Sequence, residues 1–175
     1  MNIIKALYLR IMICGLMFSA IMNSQNNLSG NIIDDKEFIF NNIVLPDSLR
    51  SLKSEEEFFL KNGMRENVIT EKNGLQILII KDSNSVNYRA HDETFLMEYT
   101  GYFTNGTIFD SSQKQGGIVQ FGFNDVVRGL AIGVKKVPKY SRFVLYIPSR
   151  LGYGKKGIKG AVPANSPLIF DIELY

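Results

Sequence analysis

The chain has 175 residues, 45% hydrophobic and 21% charged, which suits one globular domain with an appendage and excludes a disordered protein. Its net charge is +3, but Lys5 and Arg10 supply two of those charges, and the balanced remainder excludes an electrostatic nucleic-acid binder. A single Cys and a single His exclude an internal disulfide and argue against a Cys/His zinc site.

Residues 1–10 are basic, and Ile11–Met22 is an unbroken run of apolar and small residues, with the polar Asn23, Ser24, Gln25 and Asn26 after it. A basic flank, an apolar core of about 12 residues and a polar exit predict a secretory signal segment over 1–24. Two variants stay open. Counted from Ile3, the run approaches the ~20 residues of an uncleaved membrane anchor, and Cys14 offers a site for lipidation. All three variants leave the basic flank inside and export the rest, with membrane contact through the N-terminal segment alone. Residues 25–67 read as a polar, Asn-rich linker with apolar clusters such as Ile43-Val44-Leu45 and no clear periodicity. Within it, Ser54-Glu55-Glu56-Glu57 is a capping box, serine accepting from first-turn amides and Glu57 reaching back. A short helix over about 54–62 comes next, stops at Gly63, and is expected to dock on the domain that occupies 68–175. Asn73-Gly74 then turns the chain into a strand over 75–81, and His91 lies in a loop with no chemistry assigned to it.

The stretch Glu98–Ser112, EYTGYFTNGTIFDSS, organises the C-terminal half of the chain. Alternation puts Phe95, Met97, Tyr99, Gly101 and Phe103 on one strand face, and Glu98, Thr100 and Tyr102 on the other. Asn105-Gly106 predicts a two-residue turn of the primed type, because both residues tolerate positive φ. The chain doubles back and brings Phe109 and Asp110 near the strand of Tyr99. After a polar loop and a short strand at 118–121, Asp125 is expected to cap a short helix holding Val126, Val127, Leu130 and Val134. Gly129 and Gly133 inside that helix cost about 1 kcal/mol each against Ala, which argues for close backbone approach. A strand over 140–147, a Gly/Pro loop over 149–167 and a cleanly alternating last strand over 168–175 complete an antiparallel α+β pattern.

Some motifs mislead. Gly152-Tyr153-Gly154-Lys155-Lys156-Gly157 matches the letters of a dinucleotide fingerprint, but Gly160, Pro163 and Pro167 forbid the helix that must come after it. Nothing in the chain resembles a nucleophile elbow, and a triad would have to use His91. What holds is an ordered series: Tyr99-Thr100-Gly101, Asn105 to Ser112, Val126-Val127-Arg128-Gly129-Leu130, Ile147-Pro148, Gly152-Tyr153-Gly154, Val162-Pro163 and Leu168 to Leu174. This series resembles the FKBP family of peptidyl-prolyl cis-trans isomerases over about residues 92–175. The resemblance implies a curved antiparallel sheet of five to six strands wrapped around one short α-helix, with an apolar pocket between them. Tyr99, Phe109 and Phe170 would be its aromatic walls and Val126 and Val127 its rim. Asp110 and Tyr153 would be its polar contacts, and Ala161 and Val162 would lie on an overhanging loop. The floor, tryptophan in well-studied members, is Leu130 here, and an aromatic of the bulge strand falls at Gly117, with Val119 or Phe121 to compensate.

By the same resemblance the substrates are proline-containing polypeptides, macrolides are expected ligands, and no cofactor or metal is needed. The Tyr153 hydroxyl and the Val127 amide would hold substrate carbonyls, and Asp110 would orient its neighbours. Rotation about an Xaa-Pro bond costs ~18–20 kcal/mol because it breaks amide resonance. The twisted amide is less polar than the planar one, so an apolar site favours it without a nucleophile. The competing expectation is a chaperone-like or partner-binding module that keeps the pocket with little turnover.

Overall fold

The apolar run Phe143-Val144-Leu145-Tyr146-Ile147 alternates between two faces that are both buried, and the molecule is built on either side of it. The computed structural model describes residues 40–83 and 93–175. The expected signal segment over 1–24, Cys14, the first part of the linker and His91 lie outside the described residues. Seven strands form one antiparallel sheet: β1 (Val68–Thr70), β2 (Gln76–Lys81), β3 (Thr94–Tyr102), β4 (Ile108–Ser111), β5 (Val119–Gly122), β6 (Arg142–Ile147) and β7 (Leu168–Leu174). Their order is β1-β2-β6-β7-β3-β4, and β5 pairs with the N-terminal half of β3 while β4 pairs with its C-terminal half. The expectation of five to six strands therefore becomes six positions, with β4 and β5 sharing one of them.

On the inner face lies the short helix Arg128–Val134. The two glycines bring it close to the sheet. A Cβ at Gly129 would stand 2.3 Å from Cγ2 of Ile147, and one at Gly133 would stand 2.4 Å from Cδ1 of Leu145. The helix begins later than expected, and Asp125 does not cap it. Its carboxylate accepts instead from the Gly122 amide at 2.9 Å, closing the turn after β5, while Val127 occupies the N-cap position with no side-chain bond.

The outer face is covered by the stretch after Phe40. Two helices are present there, α1 (Asp47–Arg50) and α2 (Glu55–Gly63), so with Arg128–Val134 as α3 the described residues hold three α-helices. Ser54 caps α2, accepting from the Glu57 amide at 3.4 Å, whereas the Glu57 carboxylate pairs with Lys61 at 2.9 Å. Phe58 of α2 packs on Tyr146 with ring centroids 6.3 Å apart, and Val44 and Leu45 have no exposed surface. A polar network locks this layer. The Tyr146 hydroxyl donates to the Val44 carbonyl at 2.6 Å, and Arg65 donates to that hydroxyl at 3.1 Å and to Asn62 at 2.7 Å. Asn62 in turn donates to the Gln76 side chain at 2.8 Å. Buried polar groups with such partners add specificity, because loss of one leaves another unsatisfied.

Burial pushes the Tyr146 phenol up to about 12, against an opposing pull from Arg65. The folded state therefore holds this proton more tightly than the unfolded chain does. Stability from this group is complete below pH 10 and is lost as pH rises towards 12. Denaturant midpoints are expected to be flat from neutral pH to about 9.5 and then to fall, the tyrosine contributing roughly 3 kcal/mol across the window. A stability that stays flat to pH 12 would contradict this.

Candidate active site

Phe109 is aimed by a bulge. In the β3–β4 pairing Gly101 faces Asp110 and Tyr102 faces Ile108, so Phe109 is the extra residue between them. The turn that sets this register is not the two-residue one expected. Gly106 donates to the Phe103 carbonyl and Phe103 to the Thr107 carbonyl, both at 2.9 Å, which makes a three-residue loop. Gly106 has φ 87°, and Asn105 stays at negative φ. This is a type I turn closed by a left-handed glycine, whose own bulge lies at Gly106 and is separate from the one at Phe109.

The bulge lays the Phe109 ring over Gly101. A Cβ on Gly101 would stand 2.7 Å from Cζ of that ring, so only glycine leaves the space. Phe109 then meets Phe170 edge-on at 5.6 Å and Phe103 at 5.0 Å. Tyr99 packs against Phe170 at 5.9 Å and against Phe121 at 6.0 Å, in geometries that favour aromatic pairs. Gly101→Ala should push the ring aside, costing about 1–3 kcal/mol of stability by overpacking and disturbing any ligand bound at Phe109. A ligand titration on the folded variant that matches the parent would show that the ring's position is unimportant.

One carboxylate serves this apolar cluster. The Tyr99 hydroxyl donates to Oδ2 of Asp110 at 2.7 Å, and Oδ1 accepts from the Ser111 amide at 2.9 Å. Burial, then the bond to Asp110 and its charge, holds the Tyr99 phenol protonated well above its ordinary range, against a smaller pull from Gln115. Burial, followed by the Asp110 charge, also raises Tyr153. Asp110 is thus occupied as an acceptor that fixes Tyr99 from the side. The Tyr99 backbone is held as well, its amide donating to Oγ of the buried Ser112 at 3.1 Å.

Most of the site residues expected from the sequence meet in this one cluster. Tyr99, Leu130, Val162 and Phe170 are buried in it, and Phe109, Phe121, Val126, Val127 and Tyr153 are partly buried against it. Phe121 stands beside Tyr99, where the aromatic lacking at Gly117 leaves a gap in the sequence pattern. Leu130 is 2% exposed, beneath the cluster. Ala161 is exposed on the loop after Tyr153, and only its neighbour Val162 turns inward. Sequence reasoning assigns no role in the site to Gly101, Phe103 or Ser112. The signal for Gly101 is a glycine interrupting the apolar face of a strand, which marks close approach. Among the described residues the Val127 amide N–H and the Tyr153 hydroxyl have no hydrogen-bond partner. No group of three or more His, Cys, Asp or Glu side chains among those residues could hold a metal ion.

The sequence pattern of the FKBP-type peptidyl-prolyl cis-trans isomerases matches residues 87–175, just over half of the chain. This chain belongs to that family. The FKBP-type isomerase FkpA of Aeromonas hydrophila is 38% identical over 73% of this chain and 47% of its own length. The outer membrane protein MIP of Legionella longbeachae is 30% identical over 68% of this chain and 51% of its own. The chain thus spans about half the length of the curated relatives it matches. A crystal structure of a peptidyl-prolyl cis-trans isomerase from Pseudomonas syringae aligns with a TM-score of 0.63 at 24% identity, over 74% of this chain and 93% of that one. The FKBP fold follows from that likeness. Among the described residues no helix is long and apolar enough to cross a membrane.

Proposed function

We propose that this chain isomerises Xaa-Pro bonds in exported polypeptides, with the aromatic cluster as its site. The observation that carries the reading is a set of converging rings, Tyr99, Phe109, Phe121 and Phe170, with a single carboxylate already bonded to Tyr99. Such a mainly apolar site suits the less polar, twisted amide. The twisted state loses little by leaving water, whereas the planar amide loses its solvation. Val126, Val127, Ala161 and Val162 would border the bound peptide, and Leu130 would underlie the proline. The Val127 N–H and the Tyr153 hydroxyl, both without partners among the described residues, would donate to substrate carbonyls. Asp110 keeps Tyr99 in place.

The test is a refolding reaction limited by an Xaa-Pro bond, measured with and without the full chain. Catalytic acceleration supports the reading, and its absence in several Xaa-Pro contexts sinks it. Tyr153→Phe should lower the rate no more than about tenfold, since it removes one neutral hydrogen bond of ~1 kcal/mol. A loss of several hundredfold would make the site polar rather than apolar in its action.

A second reading, a partner-binding module with little turnover, is favoured by Leu130, a smaller buried floor than the tryptophan of well-studied members. Tight binding of a fluorescent macrolide without acceleration of refolding would select it. The N-terminal segment supports an exported, envelope-facing protein, anchored or free, in keeping with the Legionella relative's name as an outer membrane protein. Recovery of intact, unprocessed chain from the cytosol on fractionation would remove that address.

A further inference from the structure

The border of the aromatic cluster is mostly positive, with five cations against Asp110 and Asp125. Lys155 and Lys156 come directly after Gly154, the neighbour of Tyr153, Lys159 lies on the same loop, and Arg128 adjoins Val127. Lys114 stands 4.0 Å from Asp110. All five are exposed. Two acids share this border: Asp110 accepts from Tyr99 and the Ser111 amide, and Asp125 from the Gly122 amide. Among the described residues Arg128, Lys155, Lys156 and Lys159 have no carboxylate within ion-pair distance.

The lysine loop is held in shape. Gly157 donates to the Tyr153 carbonyl at 3.2 Å, Ile158 and Val162 exchange bonds of 2.7 and 2.9 Å, and Asn165 donates to the Gly154 carbonyl at 2.9 Å. Val162, at the far end of the loop, is buried in the cluster itself. The backbone that carries the three lysines is therefore ordered between Tyr153 and the buried Val162. Glu55, Glu56 and Glu57 stand in the first turn of α2 on the other side of the sheet, where Glu55 accepts from the Ser149 amide at 2.8 Å.

We propose that this basic border selects prolines flanked by acidic residues, so that the preferred clients are acidic polypeptide segments. The inference rests on the isomerase reading of the site. Each exposed ion pair contributes little alone. Several like charges around one site sum to a field that attracts an acidic segment and fades with salt. The aromatic cluster takes the proline itself and is indifferent to charge. The border acts on the residues two or three positions to either side.

Isomerisation by the full chain is measured by NMR exchange on three short peptides. They share one Xaa-Pro bond and differ only in flanking glutamate, glutamine or lysine residues. At low salt kcat/KM is expected to be about threefold to tenfold higher for the glutamate peptide than for the glutamine peptide, mainly through KM, and lowest for the lysine peptide. Raising ionic strength to about 0.5 M should bring the three together. The double variant Lys155→Glu and Lys156→Glu, exposed on an ordered loop, should reverse the order. Equal values for the three peptides at low salt, or an order that the double variant leaves in place, would overturn the inference while the isomerase reading stands. No acceleration of any peptide would overturn the site reading and this inference with it.

Discussion

Phe170→Ala is expected to cost the protein both its site and much of its stability. The ring is 5% exposed and touches Tyr99 at 5.9 Å and Phe109 at 5.6 Å. Removing a buried phenylalanine side chain costs roughly 3–5 kcal/mol, part transfer and part cavity. The remaining rings lose a partner worth about 0.5–1.5 kcal/mol beyond area and would relax into the space. If shape and dryness lower the rotation barrier, isomerase activity per folded molecule should fall well past the tenfold limit set for Tyr153→Phe. Denaturant unfolding supplies the folded fraction, and proline-limited refolding supplies the rate. A Phe170→Ala protein more active than Tyr153→Phe, each corrected for folding, would reverse the mechanism from apolar to polar.

The second large effect concerns the outer layer. A fragment beginning at Val68 is expected to be several kcal/mol less stable than one beginning at Phe40. The shorter fragment loses Val44, Leu45 and Phe58, each worth about 1.5–3 kcal/mol when buried, although chain entropy offsets a large part of that sum. It also uncovers Tyr146, whose hydroxyl bonds to the Val44 carbonyl, and Gln76, whose amide donates to the Phe59 carbonyl at 2.8 Å. The outer surface of β6 would then present Val144 and Tyr146 to water. Comparing urea midpoints of the two fragments measures the difference. Equal midpoints would mean that residues 40–67 ride on the sheet without holding it.

The same layer reaches the hairpin that carries the site. Phe40 stacks on Tyr102 with centroids 4.3 Å apart, and the Arg50 guanidinium lies 4.9 Å from the Phe40 ring centre. Tyr102 is the β3 residue paired with Ile108, next to the bulge that aims Phe109. Loss of the layer would thus reach the site through the strand, from its opposite face.

Much of this is legible in the chain because it depends on local pattern. Alternation assigns Phe95, Met97 and Tyr99 to the buried face of β3, since side chains in a strand point to opposite sides in turn. Gly129 and Gly133 announce the close approach of α3, because glycine in a helix is costly without such a reason. The ordered series of family residues indicates which side chains would meet, and Tyr99, Asp110, Phe109 and Phe170 do meet.

Three features are not settled by composition, the last of them through contacts between distant parts of the chain. The Asn105-Gly106 turn has the composition of a primed type, but the chain forms a three-residue loop in which only the glycine has positive φ. Asp125 has the chemistry of a helix cap, yet the Gly122 amide lies closer to hand than the helix amides. Residues 40–67 have a linker's composition, and their few apolar side chains bury only because β6 presents a second apolar face. That face is written in Val144 and Tyr146, but an alternating pattern cannot say what covers it. Local propensity determines the elements and the face each turns inward. Which surface covers another is decided by the free energy of the whole assembly, where burial of Val44, Leu45 and Phe58 against β6 adds to the bond between Tyr146 and the Val44 carbonyl.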